Sequence, residues 1–373
     1  MRIIPLLFVL FVAAPVLADE PKVQRGIPYA EPKNERQILD VYAPAQGKNL
    51  PMVVWIHGGG WHSGDKKDVK QKPQAFTDKG FVFVSINYRL QVWTDPLLSP
   101  GVTIKQIAED IARAIRWTHN HAGDYGGDPN TIFVMGHSAG AQLAALVCTD
   151  DRYLKAENMS LAIIKGCVPV DGDTYDLPMR IATVHKKGDK KLAERDKRRF
   201  GDEAMQKDLS SITHVAKGKH IPPFLILHVA DHPETRGQSQ RLLQVLEAAG
   251  ISAKAYPADG KNHTTINVDL GLADDPATRE MFAFLSGVLM KADKGAKMRT
   301  LQHFQKTLDK TFTPAKAVAA FGEPDSKLGS GLIIYEYNLD DGTKMRLGFP
   351  GFAPIQYAHH VQKDGKFEVI PVK

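Results

Sequence analysis

Four short apolar runs punctuate the first 230 residues: Pro51–Ile56, Phe81–Ile86, Thr131–Met135 and Phe224–Val229. Each is rich in β-branched or aromatic residues and bounded by Gly, Pro or Asn, the pattern of strands buried on both faces. Arg36–Tyr42 (RQILDVY) mixes apolar and polar positions, as a half-buried strand does, and Ile163–Val170 and Ala253–Tyr256 read as two more strands. Helical spacing lies between them. Ile104–His119 carries Ile107, Ile111, Ala112, Ile115 and Trp117. Ala139–Leu146 is a second helix, and Gln238–Ala249 a third that ends at Gly250 as a C-terminal cap. A last helix runs from Pro276 to about Ala292. Strands alternating with helices predict an α/β fold with a mostly parallel sheet covered on both sides.

From about Met298 the pattern changes. Met298–Asp309 is helical, and Thr313-Pro314 places an N-cap before a proline at the first position of a helix that stops at Gly322. Ile333, Tyr335, Tyr337 and Leu339 then alternate, Asp341-Gly342 signals a hairpin, and Met345, Leu347 and Phe349 continue the alternation. Ile355, Tyr357 and Val361 follow, then an Asp364-Gly365 turn and Phe367–Val372. Two helices and an antiparallel meander make a small α+β module. At the other end, Arg2 precedes an apolar run from Ile3 to Val12, and Val16 and Ala18 fit the small-residue rule for cleavage after Ala18. That run is shorter than the ~20 residues a bilayer span needs. The expected organisation is a signal peptide at 1–18, a main domain at 19–297 and an accessory domain at 298–373. The mature protein is expected to be secreted or periplasmic, with no membrane span.

Composition narrows the partners. Of 373 residues 43% are hydrophobic and 24% charged, ordinary for a globular chain, and the formal charge is +6. The basic cluster between Lys186 and Arg199 is interleaved with acidic residues and joins no nucleic-acid motif, so it reads as a solvated helix face and no nucleic-acid partner is expected. Cys148 and Cys167, the only cysteines, lie in apolar surroundings and read as buried free thiols. Neither has metal-ligand spacing, and the sequence calls for no metal and no cofactor.

The chemistry begins at Gly136-His137-Ser138-Ala139-Gly140, which follows a buried strand and opens a helix. A nucleophilic serine on a sharp strand-to-helix turn needs glycines two residues to either side, where side chains would clash. The helix N-terminus favours the negative charge that develops on attack. Roughly eighty residues earlier, His57-Gly58-Gly59-Gly60-Trp61 ends a strand where backbone donors for an oxyanion are needed, and the expected donors are the amides of Gly59, Gly60 and Ala139. His57 precedes the nucleophile and orients this loop rather than acting as base. The chain order Ser, acid, His then directs the search. The acid is expected after Phe224–Val229, at Asp231, with Glu234 as runner-up. Asp171 and Asp173, after Ile163–Val170, are the alternative position and are read as shaping a pocket or capping a helix. His263, after the strand Ala253–Tyr256, is the expected base. Asn158-Met159-Ser160 and Asn262-His263-Thr264 match the glycosylation pattern, but a glycan on Asn262 would obstruct that base.

These residues resemble the bacterial esterase branch of the α/β-hydrolases, related to hormone-sensitive-lipase-type and to feruloyl and acetyl-xylan esterases. The resemblance rests on HGGGW (57–61), Asn87-Tyr88-Arg89, YGGDPNTIFVMGHSAGA (125–141), PPFLILHVAD (222–231) and KNHTTIN (261–267), and spans about residues 24–293. His228-Val229-Ala230-Asp231 is one residue shorter than the family's His-Gly-x-x-Asp. The segment from Asp176 to His220 stands where such enzymes carry pocket-forming helices. The C-terminal module, through Thr313-Pro314, Phe321–Asp325 and Tyr335–Arg346, resembles the small outer-membrane lipoprotein fold of the SmpA/OmlA type, which implies an envelope or protein partner and no chemistry of its own. The resemblance implies hydrolysis of carboxylic esters, small or polysaccharide-linked, such as acetyl or feruloyl esters. Two alternatives stay open: amide or formamide hydrolysis, since kynurenine-formamidase-like proteins share an HGG-x-W loop, and a binding protein on a dead hydrolase scaffold.

Overall fold

The computed structural model describes residues 21–31, 33–91, 101–295, 299–329 and 331–372. The expected leader at 1–18 and the expected helix start at Met298 lie outside them. The chain divides into two compact units, Met1–Leu285 and Ser286–Lys373, with the division inside the helix Pro276–Gly295.

The first unit is built on eight strands: β1 (Lys22–Pro28), β2 (Ile38–Ala43), β3 (Leu50–Ile56), β4 (Val82–Ile86), β5 (Gly127–His137), β6 (Ile164–Val170), β7 (Phe224–Val229) and β8 (Ala253–Ala258). They form one sheet in the order β1-β2-β4-β3-β5-β6-β7-β8. β2 is antiparallel to both β1 and β4, and every pairing from β4 across to β8 is parallel. The continuous apolar runs are the interior strands, and Val53, Val54, Val84, Phe133, Val134, Leu225 and Ile226 are fully buried. A strand buried on both faces has no polar side to alternate with, which is why these runs do not alternate.

Helices supply the covering layers. Ile104–Asn120 begins at a capping box between Thr103 and Gln106 and buries Ile107, Ile111 and Ile115. Ala139–Thr149 is buried along its whole length, and Pro233–Ala248 buries Leu242 and Leu246. Three helices, Leu177–Lys186, Lys190–Phe200 and Glu203–Asp208, occupy the expected pocket-forming segment, and their N-caps Asp176, Asp189 and Asp202 each accept a backbone N–H in the first turn. Cys148 and Cys167 are buried and unbridged. No helix among the described residues is long and apolar enough to cross a membrane.

In the second unit, helices Leu301–Thr307 and Pro314–Phe321 accompany a five-stranded antiparallel sheet: β9 (Ser326–Leu328), β10 (Ile333–Asn338), β11 (Lys344–Phe349), β12 (Tyr357–Val361) and β13 (Phe367–Val369), in the order β13-β12-β11-β10-β9. Phe304 and Phe321 stack with ring centroids 3.8 Å apart and share one core with Tyr335, Tyr337, Leu347 and Phe349. Alternation in β10 and β11 points these side chains to a single face.

Candidate active site

Parallel strands bring their C-terminal ends to one edge of a sheet, and loops leaving that edge carry the site. β3 leads into His57-Gly58-Gly59-Gly60, β5 into Ser138, β6 into Asp171, and β8 into the loop that holds His263.

Ser138 sits between β5 and the helix Ala139–Thr149 at φ 57° and ψ −118°, a conformation that side-chain-bearing residues rarely adopt. Strain of this kind costs about 1–3 kcal/mol and persists only where the surroundings enforce it. The flanking glycines make the turn geometrically possible. A Cβ on Gly136 would lie 2.4 Å from the Gly140 carbonyl oxygen, and one on Gly140 would lie 2.2 Å from that of Ile56. The Ser138 N–H is tied to the Val170 carbonyl at 2.9 Å, so the sheet itself holds the turn.

His263 Nε2 lies 3.0 Å from Ser138 Oγ. Its Nδ1 lies 2.6 Å from Asp171 Oδ2. The His263 side chain is 47% exposed, whereas the Asp171 side chain is wholly buried. The other Asp171 oxygen accepts the Val229 N–H at 2.9 Å. Burial alone would raise the Asp171 pKa, but hydrogen bonds from His263, the Val229 amide and Thr235 outweigh it and hold the carboxyl below its ordinary value.

The carboxylate at His263 therefore belongs to Asp171, and the expectation of Asp231 is corrected. Asp231 is exposed in the turn beyond β7, and Glu234, the runner-up, pairs with Lys187 and lies 3.5 Å from His232. Asp173, the other aspartate of the alternative position, pairs with Arg180. The physical reason is the left-handed Asp171 backbone at φ 52° just past β6, which turns the side chain across to β7 so that a β7 amide anchors it beneath the histidine. An acidic residue followed by glycine at the end of an apolar strand, Val170-Asp171-Gly172, is the signal that could have found it.

The glycine-rich loop passes directly over the turn at Ser138. A Cβ on Gly58 would lie 3.1 Å from Ser138 Cβ and 3.0 Å from both His137 Nδ1 and the His137 carbonyl oxygen. Gly59 (φ 110°) and Gly60 (φ 59°) take left-handed conformations, and a Cβ on Gly59 would meet the Ser63 carbonyl at 2.2 Å. Ala139 is the first residue of its helix, so its N–H has no acceptor within that helix. Burial pushes the His57 pKa down to about 4, and Arg36 opposes a second positive charge there, so the ring is neutral. Its Nδ1 donates to the Gly58 carbonyl at 2.7 Å, and its Nε2 faces Arg36 Nη2 at 3.3 Å. Tyr88 stacks on the ring at 4.3 Å and its hydroxyl donates to the His57 carbonyl at 2.9 Å. Arg36 also holds Asp65 and the Gly64 carbonyl. Tyr88 thus supports the loop, together with Asn87, whose side-chain amide donates to Asp65 at 3.0 Å, while Arg89 is anchored on buried Asp110 at 2.6 Å.

The profile of the BD-FAE family matches residues 39–246, more than half of the chain. The chain belongs to the BD-FAE family, a family of α/β-hydrolase esterases. The matched span of this BD-FAE member runs from β2 into the helix Pro233–Ala248 and contains the glycine loop, Ser138 and Asp171. Among curated relatives, isoprenylcysteine alpha-carbonyl methylesterase of Arabidopsis thaliana is 27% identical over 259 residues, covering 66% of this chain and 57% of that protein. Esterase LipQ of Mycobacterium tuberculosis is 28% identical over 290 residues, covering 74% and 64%. The BD-FAE chain thus spans about six-tenths of the length of these relatives. Among solved structures, esterase B of Lactobacillus rhamnosis superposes with a TM-score of 0.59 at 20% identity, over 74% of this chain and 90% of that one. Esterase 2 of Thermogutta terrifontis gives 0.54 at 23%, over 74% and 93%. These likenesses show the fold: α/β-hydrolase.

Proposed function

We propose that this chain is a serine carboxylic ester hydrolase in which Ser138 is the nucleophile, His263 the general base and Asp171 the acid. The unbroken series of contacts from Ser138 Oγ through the His263 ring to buried Asp171 carries the reading. His263 Nε2 accepts the hydroxyl proton as Ser138 attacks the ester carbonyl, and Asp171 holds Nδ1–H in place and stabilises the imidazolium that forms. His263 then returns the proton to the departing alcohol, leaving an acyl-serine that a water molecule hydrolyses by the same steps in reverse order. The amides of Gly59, Gly60 and Ala139 are the proposed donors to the developing oxyanion, each worth about 3 kcal/mol. Membership of an esterase family and relatives named as a methylesterase and an esterase support the ester class.

The protein is exported after cleavage following Ala18, on the strength of the leader pattern, and its substrates include polysaccharide-linked acetyl or feruloyl esters. The test is labelling of the purified protein with a fluorophosphonate, followed by turnover of short p-nitrophenyl esters by wild type, Ser138→Ala and His263→Ala. Wild type is expected to label and turn over, and both variants to lose turnover. A wild type that does neither overturns the reading. A panel of acetylated and feruloylated xylans, methyl ferulate and an N-formyl amide then separates ester from amide chemistry and free from polymeric substrates.

A further inference from the structure

We infer that His137, the residue preceding the nucleophile, is a positioning residue that sets the distance between Ser138 Oγ and His263 Nε2 by hydrogen bonding to the backbone of the base. This rests on the esterase reading above. The His137 Nε2 lies 2.8 Å from the His263 carbonyl oxygen, and because a carbonyl only accepts, Nε2 carries the proton. The ring is buried and sits 4.6 Å from the His263 ring at 39°.

The contact closes a small cycle. From Ser138 Oγ it passes to His263 Nε2, through that ring and backbone to the His263 carbonyl, across to the His137 ring, and down its backbone to Ser138 again. The remaining bonds of the base's loop do something else. Asn262 Oδ1 accepts the N–H groups of Thr264 and Thr265, which shapes the turn locally. Lys261 pairs with Asp269 and Asp275, and Lys72 Nζ donates to the Asn267 carbonyl, which fastens the residues that follow His263 to one another and to the helix Lys72–Thr77. His137 links the base's own peptide to the nucleophile's neighbour.

The environment keeps that link in one form. The groups facing the His137 ring are the His263 ring, Asp171, Lys72 and the Gly58 backbone. Burial, with His263 adding to it, pushes the His137 pKa down to about 3, so the ring stays neutral and the proton stays on Nε2. Gly58 is small where the ring needs room, since a Cβ there would press on Nδ1 at 3.0 Å.

Two measurements test the inference. Long-range nitrogen–proton NMR of the wild-type histidine rings reads the tautomer: His137 is expected to carry its proton on Nε2 and not to titrate across the neutral range. A proton on Nδ1, or a neutral-range titration, overturns the inference whether or not the protein is an esterase. In the kinetic arm, His137→Leu removes the donor and His137→Gln offers an amide near the Nε2 position. A base misplaced by about 1 Å loses about a hundredfold in rate. His137→Leu is therefore expected to lower kcat by about that factor with KM for p-nitrophenyl acetate little changed, and His137→Gln to restore most of it. A folded Leu variant as active as wild type, or a folded Gln variant as slow as Leu, overturns the inference. If Leu does not fold, the tautomer and the Gln variant still decide it. An inactive wild type with the expected tautomer refutes the esterase reading instead.

Discussion

Asp171→Asn is the substitution whose outcome follows most directly from the geometry. The wild-type carboxylate makes two anchored contacts, to His263 Nδ1 at 2.6 Å and to the Val229 N–H at 2.9 Å, from a side chain with no exposure. Asparagine keeps one oxygen, enough for the Val229 amide. It then presents an NH2 group to His263 Nδ1, which must become an acceptor. The imidazole proton moves to Nε2, and that nitrogen can no longer take the Ser138 proton. A wrong-tautomer lesion of this kind in a Ser-His-Asp triad costs about 10⁴ in kcat, about 5 kcal/mol of transition-state stabilisation. KM should hold, since Asp171 does not face the substrate. Asp231→Asn changes an exposed side chain and should alter kcat by no more than about twofold, as surface changes within about 0.5 kcal/mol do. Steady-state hydrolysis of p-nitrophenyl acetate by both variants, with melting curves to show folding, is the assay. A folded Asp171→Asn with wild-type kcat, or a folded Asp231→Asn that loses it, refutes the assignment. The sign of the carboxyl shift adds a pH prediction. Asp171 has a folded pKa below its unfolded value, so its ionised form stabilises the fold fully above the unfolded value. That stabilisation is lost as the pH falls through the folded value, and urea unfolding of wild type against Asp171→Asn should converge there.

Other outcomes are equally specific. Gly140→Ala would set a Cβ 2.2 Å from the Ile56 carbonyl, a backbone clash that no side-chain rotation relieves, so the variant should melt far below wild type or fail to fold; a wild-type melting temperature would refute the close-approach argument. Lys72 is buried with its Nζ 4.8 Å over the Trp55 ring, and burial pushes its pKa from 10.5 down to about 7. Its cost to stability is absent above the unfolded pKa and grows as the pH falls toward the folded one, so wild type should gain stability relative to Lys72→Met as the pH rises from about 7 to about 10. Chemical denaturation across that range reads the difference, and a flat difference would refute it.

Much of this molecule was legible in its residues because the relevant signals are local. A fully buried strand has to be continuously apolar, so Val53–Ile56 and Phe133–Met135 announce themselves. The Ser138 turn is legible because its pattern is complete within five residues: Gly136 is dictated by the Gly140 carbonyl, although Gly140 itself answers to the distant Ile56 carbonyl. The role of Asp171 is less legible because it depends on an amide 58 residues away and on which strand lies beside β6. Both aspartates follow an apolar strand, and only pairing distinguishes them. The three helices between Asp176 and His220 are expected only through resemblance, since a short, highly charged helix such as Lys190–Phe200 offers few apolar residues, Leu192, Ala193 and Phe200, to mark its buried face.

The Val229 amide that anchors Asp171 belongs to β7, while Asp171 itself directly follows β6. The alignment of two adjacent strands is therefore a kinetic parameter of the proposed enzyme. Core substitutions between β6 and β7 that leave the melting temperature intact but let one strand slide along the other by a fraction of an ångström would detune the acid without touching a reacting group.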